Sequence, residues 1–104
     1  MEYKNKVVKC AGEKVKINYV KRCENEEGKW IFGYKMGGSC CRLFISTQDE
    51  DGKDLDPDTI ELTLRHELFH MILDRLYFDE AGSETLVEWL ATATRELHKQ
   101  GLTI

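Results

Sequence analysis

Two of the chain's three histidines stand four residues apart, in His66-Glu67-Leu68-Phe69-His70. On a helix, residues i and i+4 lie one above the other, so both imidazoles would project from one face toward one point. Two neutral imidazoles suit a zinc ion, and a third protein ligand would leave the fourth position to water. Glu67 falls about 100° around the helix from His66, close enough to reach that water without occupying the metal. Its expected role is catalytic: zinc brings the water's pKa toward ~7 and the carboxylate accepts the proton as general base. A purely structural site would need the two histidines but not the carboxylate between them.

The third ligand is open from the residues alone. Asp74 lies one turn beyond His70 on the same face, and Glu84 and Glu88 open the next helical segment. Any of the three could be a ligand, or a partner to an imidazole N–H from outside the metal's own shell. His98, flanked by Lys99 near the end of the chain, reads as an exposed or partly packed histidine. Trp30 and Trp89 read as core or rim aromatics.

The elements that must position these groups are legible on either side of them. Asp56-Pro57 predicts a helix start, with Asp56 as N-cap and Pro57 in the first helical position. That helix is expected to run to about Tyr77 or Phe78. Leu64, Leu68, Met71 and Ile72 form its apolar face, away from the histidines, while the small Thr59 and Thr63 leave room on the histidine side. Ser83 predicts the cap of a second helix and Gly101 its stop. In that helix Leu86, Leu90, Ala93 and Leu97 read as the buried stripe, with Glu84 and Glu88 opposite it. Upstream, Val15, Ile17 and Tyr19 alternate with Lys14, Lys16 and Asn18, the period of a half-buried strand. Trp30, Phe32 and Tyr34 alternate likewise, as do Cys41, Leu43 and Ile45. Glu24 to Gly28 is a polar turn, and Gly37-Gly38-Ser39 a hairpin signal. Sheet followed by two helices is an α+β layout in a single domain, residues 1–104.

Among these residues, Thr63-Leu64-Arg65-His66-Glu67-Leu68-Phe69-His70-Met71-Ile72-Leu73-Asp74 resembles the active-site helix of the zincins. The form it resembles is the compact one of phages and mobile elements, like the peptidase domain of enzymes that cleave phage-type repressors. Glu84-Thr85-Leu86-Val87-Glu88-Trp89-Leu90-Ala91 resembles the family's following helix, and matching on Leu90-Ala91 makes Glu84 the third ligand. The resemblance covers roughly residues 32–97. It implies a minimal gluzincin-like core: a twisted antiparallel sheet, an active-site helix and a ligand-bearing helix. It further implies a peptide substrate extended along the sheet edge, for which Cys41 to Ser46 is the candidate. The family's glycine within the motif is Phe69 here, and no Tyr or further His is placed by sequence as a donor to the reacting carbonyl.

Bulk properties narrow the remaining classes. The 104 residues carry a net charge of -4, with 41% apolar and 33% charged residues, an ordinary globular balance. An acidic chain is not expected to bind nucleic acid by neutralising phosphates, and the lysines between Lys4 and Arg22 read as the wet face of a strand. The acidic stretch 47–56 misplaces the glycine of a calcium loop and sets Lys53 on a ligand position, so a solvated loop is expected. Met1 to Lys6 is not followed by a signal-length apolar run and no segment has membrane-spanning length, so a cytoplasmic protein is expected. Its four cysteines, lacking any Cys-x-x-Cys pair, then read as free thiols. The expectation is a zinc metallopeptidase acting on a protein or peptide, with neither nucleic acid nor membrane as partner. The rivals are a non-catalytic zinc module that binds another protein, and a metal-free domain.

Overall fold

A computed structural model of the chain describes residues 3–10, 13–36, 41–75 and 83–101; the side chains of Cys10, Glu13, Asp74 and Arg75 lie outside the description. Among the described residues six strands precede two helices: β1 (Lys6–Cys10), β2 (Glu13–Val20), β3 (Cys23–Glu24), β4 (Trp30–Ile31), β5 (Gly33–Met36), β6 (Cys41–Ser46), α1 (Pro57–Arg75) and α2 (Glu84–Lys99). The α+β order expected from the sequence is what the chain adopts.

The sheet departs from the all-antiparallel expectation. Its order is β1-β2-β6-β5. β1 with β2 and β5 with β6 are antiparallel, but β2 and β6 run parallel, with Ile17 opposite Leu43 and Tyr19 opposite Ile45. The reason is topological. After β2 the chain crosses one end of the sheet as the β3–β4 hairpin, descends as β5 at the far edge, and returns as β6 in the gap between. A strand inserted next to β2 after two reversals, one into β5 and one out of it, must run with it. Cys41 to Ser46 is therefore an interior strand, and the edge on this side of the sheet is β5. The expected single strand through Trp30, Phe32 and Tyr34 is also broken, since β4 pairs with β3 in a separate two-stranded sheet while β5 pairs with β6. Gly33 marks the break. A Cβ built there would sit 2.7 Å from the Phe44 carbonyl oxygen and 3.1 Å from Thr63 Cγ2, so only glycine lets this part of the chain pass so close to α1.

One sheet face is dry. Val15, Ile17, Cys41, Leu43 and Ile45 point into a core completed by Ile60 and Met71, with Leu64, Leu68 and Ile72 packed against it. This is the apolar face of α1 read from the sequence. α1 starts where its cap dictates: the Asp56 carboxylate accepts from Asp58 N at 3.0 Å, and its carbonyl from Ile60 N at 3.1 Å. Arg75 is its last described residue, so the expected continuation to Tyr77 or Phe78 falls outside the described residues. Ser83 caps α2 by accepting from Leu86 N, and Gly101 ends it with φ +93.

The buried stripe of α2 is not the one expected. Val87 and Ala91 are fully buried, Leu86 and Leu90 are half-buried flanks, and Leu97 is 37% exposed. The stripe is turned by one residue, about 100°, which carries Glu84 and Glu88 from the far side of the helix to the border with α1. Cys23 is a buried free thiol and Cys41 is buried, while Cys40 and the Cys10 side chain lie outside the description. The 47–56 segment closes on itself, Asp49 Oδ1 accepting from the backbone N–H of Asp51 and Lys53 at 2.9 Å each. No described helix is long and apolar enough to cross a membrane.

Candidate metal centre

α1 and α2 run antiparallel, and at one end of their contact four polar side chains converge. His66 Nε2 and His70 Nε2 are 3.1 Å apart, and one carboxylate spans them: Glu84 Oε2 is 2.9 Å from His66 Nε2, and Oε1 is 2.8 Å from His70 Nε2. Glu88 Oε2 lies 2.7 Å from the other ring nitrogen of His66, Nδ1. A neutral imidazole has one N–H and can donate to only one of two carboxylates. If Nδ1 donates to Glu88, Nε2 turns a lone pair toward a carboxylate oxygen, and a cation between them removes the repulsion.

The donor set fits a zinc-sized ion. His66, His70 and Glu84 each offer one ligand atom, all within 4.8 Å of one another. Four ligands at 2.0–2.1 Å around tetrahedral zinc stand about 3.3 Å apart, and the observed separations are near that. The structure thus gathers three of the residues singled out from the sequence and sets Glu88 behind His66. The Asp74 side chain lies outside the described residues. His98 is exposed in the last turn of α2, away from the cluster.

Beside the cluster is an open cleft of about 660 Å³. His66, Glu67, Glu84 and Glu88 line its polar end, and Thr59, Leu62 and Thr63 of α1 its floor. The opposite wall is Trp30, Ile31, Phe32 and Gly33, from β4 and the start of β5. Glu67 is 8% exposed. Burial pushes its carboxyl above the ordinary carboxylate range; His70 and His66 pull the other way, and Glu84 adds to the rise. A carboxylate held at raised basicity next to a candidate metal is suited to taking a proton.

The wall is what sequence reading missed. Trp30 read as a core or rim aromatic, and nothing in the alternation set Trp30 and Ile31 apart from Tyr34. The wall is fixed by buried and half-buried hydrogen bonds. Ser46 Oγ donates to the Ile31 carbonyl and accepts from Cys23 N, both at 2.8 Å, and Trp30 Nε1 donates to the Gln48 carbonyl at 2.9 Å. Burial raises the Cys23 thiol's pKa despite its hydrogen bond with Ser46, which makes it a packing group rather than a nucleophile. A glycine between two aromatics of an alternating run was the available signal. Comparison with known proteins adds no relative: no family model, curated protein or solved structure matches the chain.

Proposed function

We propose that the chain is a zinc-dependent peptidase of the zincin type, with His66, His70 and Glu84 as metal ligands and Glu67 as general base. The observation that carries this reading is the meeting of the two Nε2 atoms with the Glu84 carboxylate, while Glu88 occupies His66 Nδ1. When bound there, zinc would act as a Lewis acid and lower the pKa of a water toward ~7.

The protein's own groups do the rest. Glu88 fixes the His66 tautomer by accepting from Nδ1–H, so that Nε2 presents its lone pair. The Glu67 carboxylate takes the water's proton and holds it, screened from solvent, until the leaving amine can receive it. The open cleft admits an extended peptide, bounded by the Trp30–Gly33 wall. The buried free thiol at Cys23 supports a reducing compartment, and we assign the protein to the cytoplasm on that ground.

One observation favours a second reading, a zinc module that binds another protein without cutting it. Among the described residues, no Tyr and no histidine beyond His66 lines the cleft, so no side-chain donor of those types faces a substrate carbonyl. Metal analysis of protein purified without chelator or metal-affinity tag tests the shared premise. About one zinc per chain is expected, lost in His66→Ala plus His70→Ala; equal zinc in both proteins refutes the site. Peptide hydrolysis that disappears in Glu67→Gln then selects the enzyme, and its absence from the zinc-loaded wild type selects the module.

A further inference from the structure

The helices cover only one face of the sheet. On the other, cross-strand register sets Lys9 directly opposite Lys14 and Lys16 directly opposite Arg42. All four side chains are exposed, and none forms an ion pair with another described residue. Like charges directly opposite on neighbouring strands destabilise a sheet, and a merely solvated face ordinarily intersperses the two signs. Here two such pairs adjoin, with no described acidic side chain in the register rows they occupy. In the next row, two residues or about 6.7 Å along the strands, Tyr34 stands opposite Phe44. Their rings stack, with centroids 4.8 Å apart and planes 13° from parallel, and both are only half-buried.

We propose that this open face binds single-stranded nucleic acid, Lys9, Lys14, Lys16 and Arg42 meeting phosphates while a base extends the Tyr34–Phe44 stack. An acidic peptide would require the cations but not the rings. Phosphate-neutralising side chains beside an aromatic platform are the two features by which single strands are held. The net charge of -4 does not oppose this. The acidic groups at the α1–α2 contact lie beyond the sheet and α1, two layers or roughly 20 Å away, and the Debye length at physiological salt is about 8 Å. The whole-chain charge conceals a segregation that only strand register reveals. The inference is independent of the metal centre.

The test is fluorescence anisotropy with a labelled oligothymidylate of about twelve nucleotides, titrated at several salt concentrations. Four phosphate contacts predict a slope of log K against log salt of about -3. The double change Lys16→Glu plus Arg42→Glu should weaken binding at least about tenfold. It should leave the unfolding temperature about unchanged, because it exchanges one exposed like-charge pair for another. Tyr34→Ala should weaken binding about tenfold with the salt slope unchanged, and His66→Ala plus His70→Ala should leave it intact. No binding at low salt overturns the proposal, as does insensitivity to the Lys16/Arg42 change. Equal affinity for polyglutamate, or for the same sequence as duplex, also overturns it, because either would leave the rings without a role.

Discussion

The two ends of the α1–α2 contact are both polar, and they are built on opposite principles. At one end two histidines and two glutamates meet, with Glu67 beside them and Lys35 as a cation that acts on Glu67. At the other end charges are balanced by permanent cations. Asp58 pairs with Arg95 and, at 3.3 Å, with Lys99; Glu61 lies 3.3 Å from Arg65, which also donates to Thr94 Oγ1 at 3.2 Å. The balanced end carries its own counter-charges and serves to clamp the helices. On the function proposed above, the end rich in acid and imidazole is completed by a divalent cation. Polarity at a helix contact therefore does not by itself mark a function.

The comparison can be broken most directly at the reactive carboxylate. In the zinc-loaded protein Glu67→Gln should retain the metal and lose on the order of 10²–10⁴ in hydrolysis rate, measured under single-turnover conditions. The same change should raise the unfolding temperature of the metal-free protein at neutral pH. The sign follows from burial: a carboxyl whose folded pKa is raised weighs against the fold once pH exceeds its unfolded value of ~4.3. A metal-free Glu67→Gln protein that melts earlier than wild type would contradict that assignment.

Next in size are the two glutamates of α2, assayed side by side by chelator competition. Glu88→Ala should weaken zinc binding about 10–100-fold, the range for a group that orients a ligand histidine. Glu84→Ala should cost more than that. The reverse order would make Glu88 the ligand, and two negligible losses would direct attention to Asp74.

The balanced end should respond more mildly. Arg95→Ala leaves Asp58 and Glu61 with fewer counter-charges and should lower the melting temperature by a few degrees at most. Zinc stoichiometry should not change. The two ends should also separate by pH. Hydrogen bonds from Lys99 and Arg95 hold the Asp58 carboxyl below its usual range. Its contribution is present above the unfolded value of ~3.9 and is lost as pH falls through the lower folded value. Zinc affinity should already decline below about pH 6.5, where ligand imidazoles take up protons. Urea unfolding of wild type and Asp58→Asn should therefore converge in acid and differ at pH 6. A constant gap across that range would remove Asp58 from the clamp.

What the sequence disclosed follows from the range of each signal. Caps act over three or four residues, so Asp56, Ser83 and Gly101 marked the helix ends correctly. The i, i+4 histidines likewise carry their geometry within one helix. Alternation in β2 and β6 gave the buried face but not the neighbour, because a period of two is the same for parallel and antiparallel pairs and for edge and interior strands. The α2 stripe misled because hydrophobicity ranked Leu86, Leu90 and Leu97 first, whereas close helix contact selected the smaller Val87 and Ala91. That choice of small residues is what brought Glu84 level with His70.

The broken strand at Gly33 makes the cleft a composite of two independently written pieces. Every group assigned a chemical role lies between His66 and Glu88, whereas the facing wall is encoded at residues 30–33 and tethered through Ser46 and Gln48. A hairpin tied down at its base can change its tip and its aromatic side chains without disturbing the helices that hold the donors. On the function proposed above, the molecule is divided into a part that fixes what reaction is available and a part that sets what is admitted to it. Exchange of the 24–32 segment between such chains would transfer selectivity while leaving metal affinity where it was.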